Sequence, residues 1–453
     1  MYRNIAVLCI AVALTNCRVG PNYRRPDVPT PPQFRGGEPN PSKASLGDVS
    51  WFDLFQDDTL RVLIRDALRS NYDIRIAAQR ILAAQGQVTV VRSAQFPRVD
   101  AQGDAYRTGI NNPIDSTRNI FAIATWELDL FGKLRRATEA ARADLLAIEE
   151  NRQTIWESII AQVAAAYFDL CEYDAELEIV RESIKSRQQS LDLVQAREKG
   201  GVASMLDVDQ AKSLVESARS DAIRLERGQE ETENLISILL GKPPGPIARG
   251  RKLTDQPQPP EVPAGLPSAL LERRPDLRAA EEQLVAANAR VGVAKAAYFP
   301  SINLTAAGGY QTTDLLGIAF RSGPAYTVAG LVDVPIFDAG RRGGNYKTAK
   351  AQREEMVLQY LSAINGAFRD VSDALIGHQK TKEYAASQLA FTETLRDQSR
   401  LANERYAGGV TSYLEVLDTE RERLRGEQAL TQAQRDVLIT LVQLYRALGG
   451  GWR

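Results

Sequence analysis

Few side chains in this sequence stand where they could make or break bonds. The single histidine, His378, and one of three cysteines, Cys171, both fall inside long helical patterns. No second histidine, zinc-like Cys/His spacing or nucleophile–base constellation accompanies them. His378 therefore reads as a helix-face residue and Cys171 as a small buried side chain. Carboxylates are spread along what read as solvated helix faces, and no Gly-rich loop is placed to cradle phosphate. With 56 basic against 57 acidic side chains, no broad basic field for nucleic acid exists either. The residue types point away from an enzyme, and they require no cofactor and no metal.

Cys17 is different. Arg3 gives a short positive start, and Ile5 to Leu14 is an apolar run too short to span a bilayer. The run ends at Leu14-Thr15-Asn16-Cys17, which resembles a bacterial lipoprotein signal in which the cysteine thiol is acylated. Residues 1–16 are then the signal peptide. Thr15 and Asn16 depart from the small residues usual there, and an ordinary secretory signal with an incidental cysteine is the alternative. Arg18, where an aspartate would retain the protein, implies by the same resemblance onward sorting to the outer membrane. Beyond Cys17 no stretch of about 18 apolar residues occurs, so no membrane-spanning helix is expected.

Three residues and two turns stand out by their position in the pattern. Leu414, Asp418 and Arg421 lie at i, i+4 and i+7, so one helix face presents an apolar and two charged groups. They follow the turn Gly408-Gly409-Val410, and an equivalent turn, Gly200-Gly201-Val202, occurs earlier. Each ends a long helical pattern, where glycine supplies a left-handed cap. Helix reversal by itself accounts for the glycines, and solvated charge by itself for Asp418 and Arg421.

The elements that carry these residues occur twice. Phe96-Pro97 recurs as Phe299-Pro300 at an offset of 203, shared by Asp73/Asp276, Ala84/Ala287, Val88/Val291 and Ala94/Ala297. Further on the offset is 208: Arg197, Gly200-Gly201-Val202, Ser204, Leu206 and Val208 match Arg405, Gly408-Gly409-Val410, Ser412, Leu414 and Val416. Such register marks an internal duplication. The organisation is an extended arm over 17–57, a first repeat over 58–242, a Pro-rich linker over 243–270 and a second repeat over 271–453. Each repeat reads helix, two strands, very long helix, Gly turn, helix.

The first long helix is expected over about 133–199. No proline or glycine falls between Leu134 and Lys199, and Ile159, Val163, Ala166, Leu170, Tyr173, Leu177, Val180, Ile184, Leu191 and Val194 keep a 4/3 spacing. Only Arg187 interrupts this seam. Roughly 65 residues at ~1.5 Å each make a rod of about 100 Å. The second long helix, over about 340–406, has a weaker stripe from Ile364, Phe368, Val371 and Leu375.

Strands are expected at about 97–108, 119–131, 300–312 and 325–337, with hairpin loops near Asn111–Arg118 and Thr313–Pro324. Val99, Ala101, Gly103 and Ala105 alternate with Arg98, Asp100, Gln102 and Asp104, and Ile302, Leu304 and Ala306 with Ser301, Asn303 and Thr305. Each strand has about the length of a tilted strand crossing a bilayer. Four strands cannot close a barrel, and lipid does not tolerate an open edge. Three chains would supply twelve strands, with polar faces around a water-filled lumen and apolar faces against outer-membrane lipid.

The sequence is similar to the TolC-like outer-membrane efflux channels, particularly the NodT/OprM lipoprotein branch. The similarity spans nearly the whole mature chain. It rests on Cys17 followed by Val19-Gly20-Pro21-Asn22-Tyr23 and Pro26, on Trp51-Phe52, and on Trp126-Glu127-Leu128-Asp129-Leu130-Phe131-Gly132. It also rests on Arg273-Arg274-Pro275-Asp276-Leu277, Phe299-Pro300, Phe337-Asp338-Ala339-Gly340-Arg341, and Arg405-Tyr406 leading into Gly409-Val410. The resemblance implies a mainly α fold, a long helical barrel joined to a twelve-stranded β-barrel, built by a homotrimer. It also implies a periplasmic adaptor (membrane fusion protein), an inner-membrane resistance-nodulation-division pump and a covalent lipid on Cys17.

Two roles follow from the same resemblance. The turns Gly200-Gly201-Val202 and Gly408-Gly409-Val410 would contact the adaptor. Leu414, Asp418 and Arg421 match positions that constrict the periplasmic entrance. Their first-repeat counterparts are Leu206, Gln210 and Ser213, so only the second repeat keeps the charges. A coiled-coil envelope lipoprotein explains the helices and Cys17 but not four strands phased alike in both repeats. The cargo stays open among drugs, lipophilic signals, siderophores and metal ions.

Overall fold

The computed structural model describes residues 18–37, 45–109, 114–256, 265–315 and 318–450. The first repeat holds α1 (Asp58–Ser70), α2 (Tyr72–Ser93), β1 (Arg98–Gly109), β2 (Ile114–Leu128), α3 (Lys133–Lys199) and α4 (Met205–Leu239). The second holds α5 (Pro267–Arg273), which begins inside the expected linker, then α6 (Pro275–Ala296), β3 (Ser301–Leu315), β4 (Ile318–Asp333), α7 (Arg341–Ala407) and α8 (Tyr413–Ala447). The duplication extends to element length. Helices α2 and α6 both have 22 residues, α3 and α7 both have 67, and α4 and α8 both have 35. Within the arm, Trp51–Leu54 forms a helical turn with Ser50 accepting from the Phe52 N–H.

The chain divides into two compact units. One takes the arm up to Val28, Ala78–Asn151 and Asp276–Ala363; the other takes Pro29–Ala77, Arg152–Pro275 and the residues from Ile364 onward.

In the first unit the strands form one antiparallel meander in the order β1-β2-β3-β4. Its register sorts side chains by polarity, because directly paired residues share a face. Val99 pairs Ala124, Ala124 pairs Ala306, and Ala306 pairs Val328; Trp126 pairs Leu304. The other face carries Asp104 beside Asn119 and Asn119 beside Gln311, with an Asn119-to-Asp104 hydrogen bond of 2.8 Å. Phe121 and Ile123 interrupt that polar face.

The strands reach further into the hairpins than alternation predicts, β2 beginning at Ile114 and β4 at Ile318. The ladder needs only backbone groups, so Ser116, Thr117 and Arg118, which read as loop, pair with Arg107, Thr117's partner Tyr106, and Ala105. At the other end β2 and β4 stop at Leu128 and Asp333, short of the expected 131 and 337. The chain turns there because Asp129 accepts from the N–H groups of Leu134 and Arg135 and so caps α3. In the second repeat Asp338 accepts from the Arg342 N–H.

In the second unit, Ile159, Val163, Ala166, Leu170, Leu177, Val180, Leu191 and Val194 of the α3 seam are all buried. Leu177, Val180, Ala222, Leu225 and Leu424 make one cluster across α3, α4 and α8. Arg187, the exception in the seam, is buried as well and donates to the Leu214 carbonyl at 3.0 Å.

Asp57 organises the start of α1. Its carboxylate accepts from the N–H groups of Thr59 and Leu60, from Tyr167 Oη at 2.8 Å, from the Arg251 N–H at 2.9 Å and from Gln256 Nε2 at 2.9 Å. Burial acts to raise its pKa, but the bonds from Gln256, Arg251 and Tyr167 outweigh it and hold the group below the ordinary value. A depressed folded pKa contributes stability above the unfolded value, lost as pH falls through the folded one. Asp57→Ala is expected to destabilise the fold by roughly 3 kcal/mol at neutral pH, since several buried donors lose their acceptor. Thermal melts of the detergent-solubilised protein would show this as a lower Tm, with the gap to wild type closing in strong acid.

Candidate functional site

Both glycine turns are Schellman closures of the long helices. The Gly201 N–H donates to the Glu198 carbonyl and the Val202 N–H to Arg197; the Gly409 N–H donates to Tyr406 and the Val410 N–H to Arg405. Gly201 and Gly409 both have φ of 74°. A Cβ at either position would meet nothing within 4 Å, so glycine is needed there for conformation and not for space. Helix α4 restarts on a capping box between Ser204 and Asp207. At Ser412 that cap is absent, and Thr411 instead donates to Glu415.

The structure brings the two turns together. The Arg197 guanidinium lies 4.5 Å from the Tyr406 ring centroid and donates to the Tyr406 and Ala407 carbonyls at 3.3 Å. Beneath it Leu191, Val194, Val208, Ala402, Tyr413 and Val416 belong to one buried cluster drawn from both repeats. Around the turns Val202, Met205, Leu206, Val410 and Leu414 remain exposed.

Leu414, Asp418 and Arg421 share the exposed face of the first turns of α8. Leu414 is 64% exposed. Asp418 and Arg421 make no hydrogen bond or ion pair with any described residue, including each other. His378 lies partly buried with Nδ1 3.1 Å from Thr440 Oγ1, and Cys171 is buried, with its thiol pushed up to about 12 mainly by burial. Cys17 lies outside the described residues. Among the described residues no group of His, Cys, Asp or Glu could hold a metal ion, and no helix is long and apolar enough to cross a membrane.

One expectation from the sequence fails here. The carboxylates are not all on solvated faces: Glu157, Glu172, Glu176, Glu420 and Glu427 are buried. Glu420 accepts from Ser399 Oγ at 2.6 Å, Asn403 Nδ2 at 3.0 Å and Arg423 Nη2 at 2.9 Å, and Arg423 reaches on to Glu427. Burial would raise the Glu420 pKa, but Ser399 and Arg423 hold it below its usual value. Arg187 within an apolar seam was the one visible signal of this layer, because a buried cation requires acceptors.

A second layer joins α3 to α8. Arg435 Nη1 donates to Asp169 at 3.1 Å, Arg435 Nε lies 2.9 Å from Glu172, and Gln432 donates to Glu176 at 3.0 Å. Burial pushes the Glu172 carboxyl up to about 7, against the pull of Arg435 and aided by Glu176 and Asp169. Its folded pKa thus stands above the ordinary 4.5, so folding favours the protonated form. Stability from this group is full below the ordinary value and is lost as pH rises through about 7. Glu172→Gln should melt like wild type at pH ~4 and higher than wild type at pH ~8. An equal Tm difference at both pH values would contradict this.

Comparison with known proteins fits this arrangement. A family model described as outer membrane efflux protein matches residues 63–242 and 266–450. The chain is 33% identical to the cation efflux system protein CusC of Escherichia coli O6:H1, over 98% of each chain. It is 34% identical to the solvent efflux pump outer membrane protein SrpC of Pseudomonas putida, over 97% of this chain and 96% of that one. The crystal structure of the open state of the Neisseria gonorrhoeae MtrE outer membrane channel superposes with a TM-score of 0.87 at 32% identity, over 96% of this chain and 99% of that one.

Proposed function

This chain belongs to the outer membrane efflux protein family and forms an outer-membrane exit duct for efflux, and on that premise we propose that it works as a homotrimer closing a single twelve-stranded barrel. It is a channel and not an enzyme. The observation that supports the trimer is the sheet. Its order leaves β1 and β4 each with an edge unpaired among the described residues, while β4 exposes Tyr326, Val328 and Val332 on its apolar face. In lipid those unpaired N–H and C=O groups would have no partner. Pairing β4 of one copy with β1 of the next removes every edge and turns the apolar face to lipid.

The partners follow from the ends of the duct. The exposed apolar residues around Gly201 and Gly409 suit a periplasmic adaptor, a membrane fusion protein that links the duct to an inner-membrane resistance-nodulation-division pump. Leu414, Asp418 and Arg421 narrow the periplasmic entrance, and a lipid on Cys17 fixes the chain to the outer membrane. Relatives of similar identity are named for cation and for solvent efflux. Cargo is therefore set by the pump, with the duct accepting what it is given. Outer-membrane fractions run without heating should show a trimer that collapses to monomer on boiling. A monomeric or soluble mature protein would overturn the assembly.

A further inference from the structure

We infer that the foot of β2 carries a binding site for the phosphate headgroup of an anionic phospholipid in the inner leaflet of the outer membrane. The inference rests on the outer-membrane reading above and adds a ligand to it. The arm is fixed to the corner between β2 and α3. The Val19 N–H donates to the Phe131 carbonyl at 3.1 Å, and Asn22 Oδ1 accepts from the buried Arg136 at 2.7 Å. Gly132 at that corner lies so close to Arg18 that an added Cβ would sit 3.1 Å from the Arg18 Cα.

Beside this corner opens a cleft of about 380 Å³ lined by Arg18, Gln95, Thr138, Glu139, Arg142 and Glu282 among others. Leu146 and Val285 give it an apolar wall. Its charges are unequally committed. Glu139 is held by Arg136 at 2.9 and 3.1 Å, so the 4.0 Å approach of Arg18 leaves that guanidinium, with a side chain 54% exposed, largely unspent. Arg142 is exposed and makes no hydrogen bond or ion pair with a described residue. Burial and the neighbouring Glu281 and Glu150 raise the Glu282 carboxyl above its ordinary value. A third guanidinium, Arg135, lines the cleft while paired with Asp129 at 3.2 Å.

Two available guanidiniums at one mouth suit a phosphate, whose oxygens accept forked N–H pairs. The depth of the site selects the source of that phosphate. Arg18 is the residue next to Cys17, and it sits where β2, a strand on the apolar lipid-facing sheet, leaves its ladder. That is headgroup level.

The test uses the full mature trimer in detergent, observed by native mass spectrometry with phosphatidylglycerol, phosphatidylcholine or inorganic phosphate added. The wild type should retain phosphatidylglycerol in preference to phosphatidylcholine. Arg18→Gln with Arg142→Gln should weaken phosphatidylglycerol retention by roughly 30-fold, the equivalent of ~2 kcal/mol for two cations. Equal retention of phosphatidylglycerol by wild type and double variant overturns the site. Binding of inorganic phosphate with no preference between the lipids overturns the lipid as its occupant. The same spectra report the oligomer: absence of trimers would count against the duct, whereas trimers indifferent to lipid charge count against this inference alone.

Discussion

Trimers carrying Gly201→Arg together with Gly409→Arg are expected to assemble and insert normally yet lose efflux, leaving drug or ion susceptibility at the level of a deletion strain. Both glycines sit at φ of 74° with open space where a side chain would project. A non-glycine residue there costs ~1–2 kcal/mol in left-handed strain. That is small against two 67-residue helices joined by a buried cluster from both repeats. The added bulk and charge, however, would stand on the apolar surface around Val202 and Val410 that we assign to the adaptor. Gly201→Ala with Gly409→Ala imposes the same backbone strain without the bulk and should keep most efflux. If the alanine pair fails equally, strain at the turn is the cause; if the arginine pair still exports, docking lies elsewhere.

Asp418→Ala with Arg421→Ala should open the duct. Both side chains are exposed and unpaired among the described residues, which is the state expected of groups whose partners come from neighbouring copies. Three symmetry-related contacts at ~1 kcal/mol each would shift an open–closed balance roughly 100-fold. Single-channel recordings in planar bilayers would read this as a larger and longer-lived conductance. The matching pair in the first repeat, Gln210→Ala with Ser213→Ala, should leave conductance unchanged. Unchanged conductance in the charged pair would remove the gate from this face.

Much of the architecture was legible because it is periodic. The offset of 203 between Phe96-Pro97 and Phe299-Pro300 and the 4/3 seam of α3 needed only spacing. The strand ends were less legible, since Ser116, Thr117 and Arg118 carry loop-like side chains while their backbones pair in the ladder. The buried carboxylates were invisible for a related reason. Glu172 and Glu176 flank Tyr173 and Leu177 on α3 and look like an ordinary solvated margin. What covers them is Arg435 and Gln432 of α8, some 260 residues away, and no local pattern reports that. The face of Leu414, Asp418 and Arg421 was legible as a helix face, but only the structure shows that no described residue pairs with those charges.

The matched helix lengths bear on how this chain can change over evolutionary time. Substitutions can accumulate in either repeat alone, as Asp418 and Arg421 against Gln210 and Ser213 illustrate. Length cannot drift so freely. Shortening α3 by one heptad without α7 would carry Arg197 about 10 Å away from the Tyr406 and Ala407 carbonyls that it grips. Insertions and deletions in the long helices should therefore be inherited only as matched sets, one in each of α3, α4, α7 and α8. A chimera with one lineage's first repeat and a longer lineage's second repeat would misalign its turns, however similar the two sequences were.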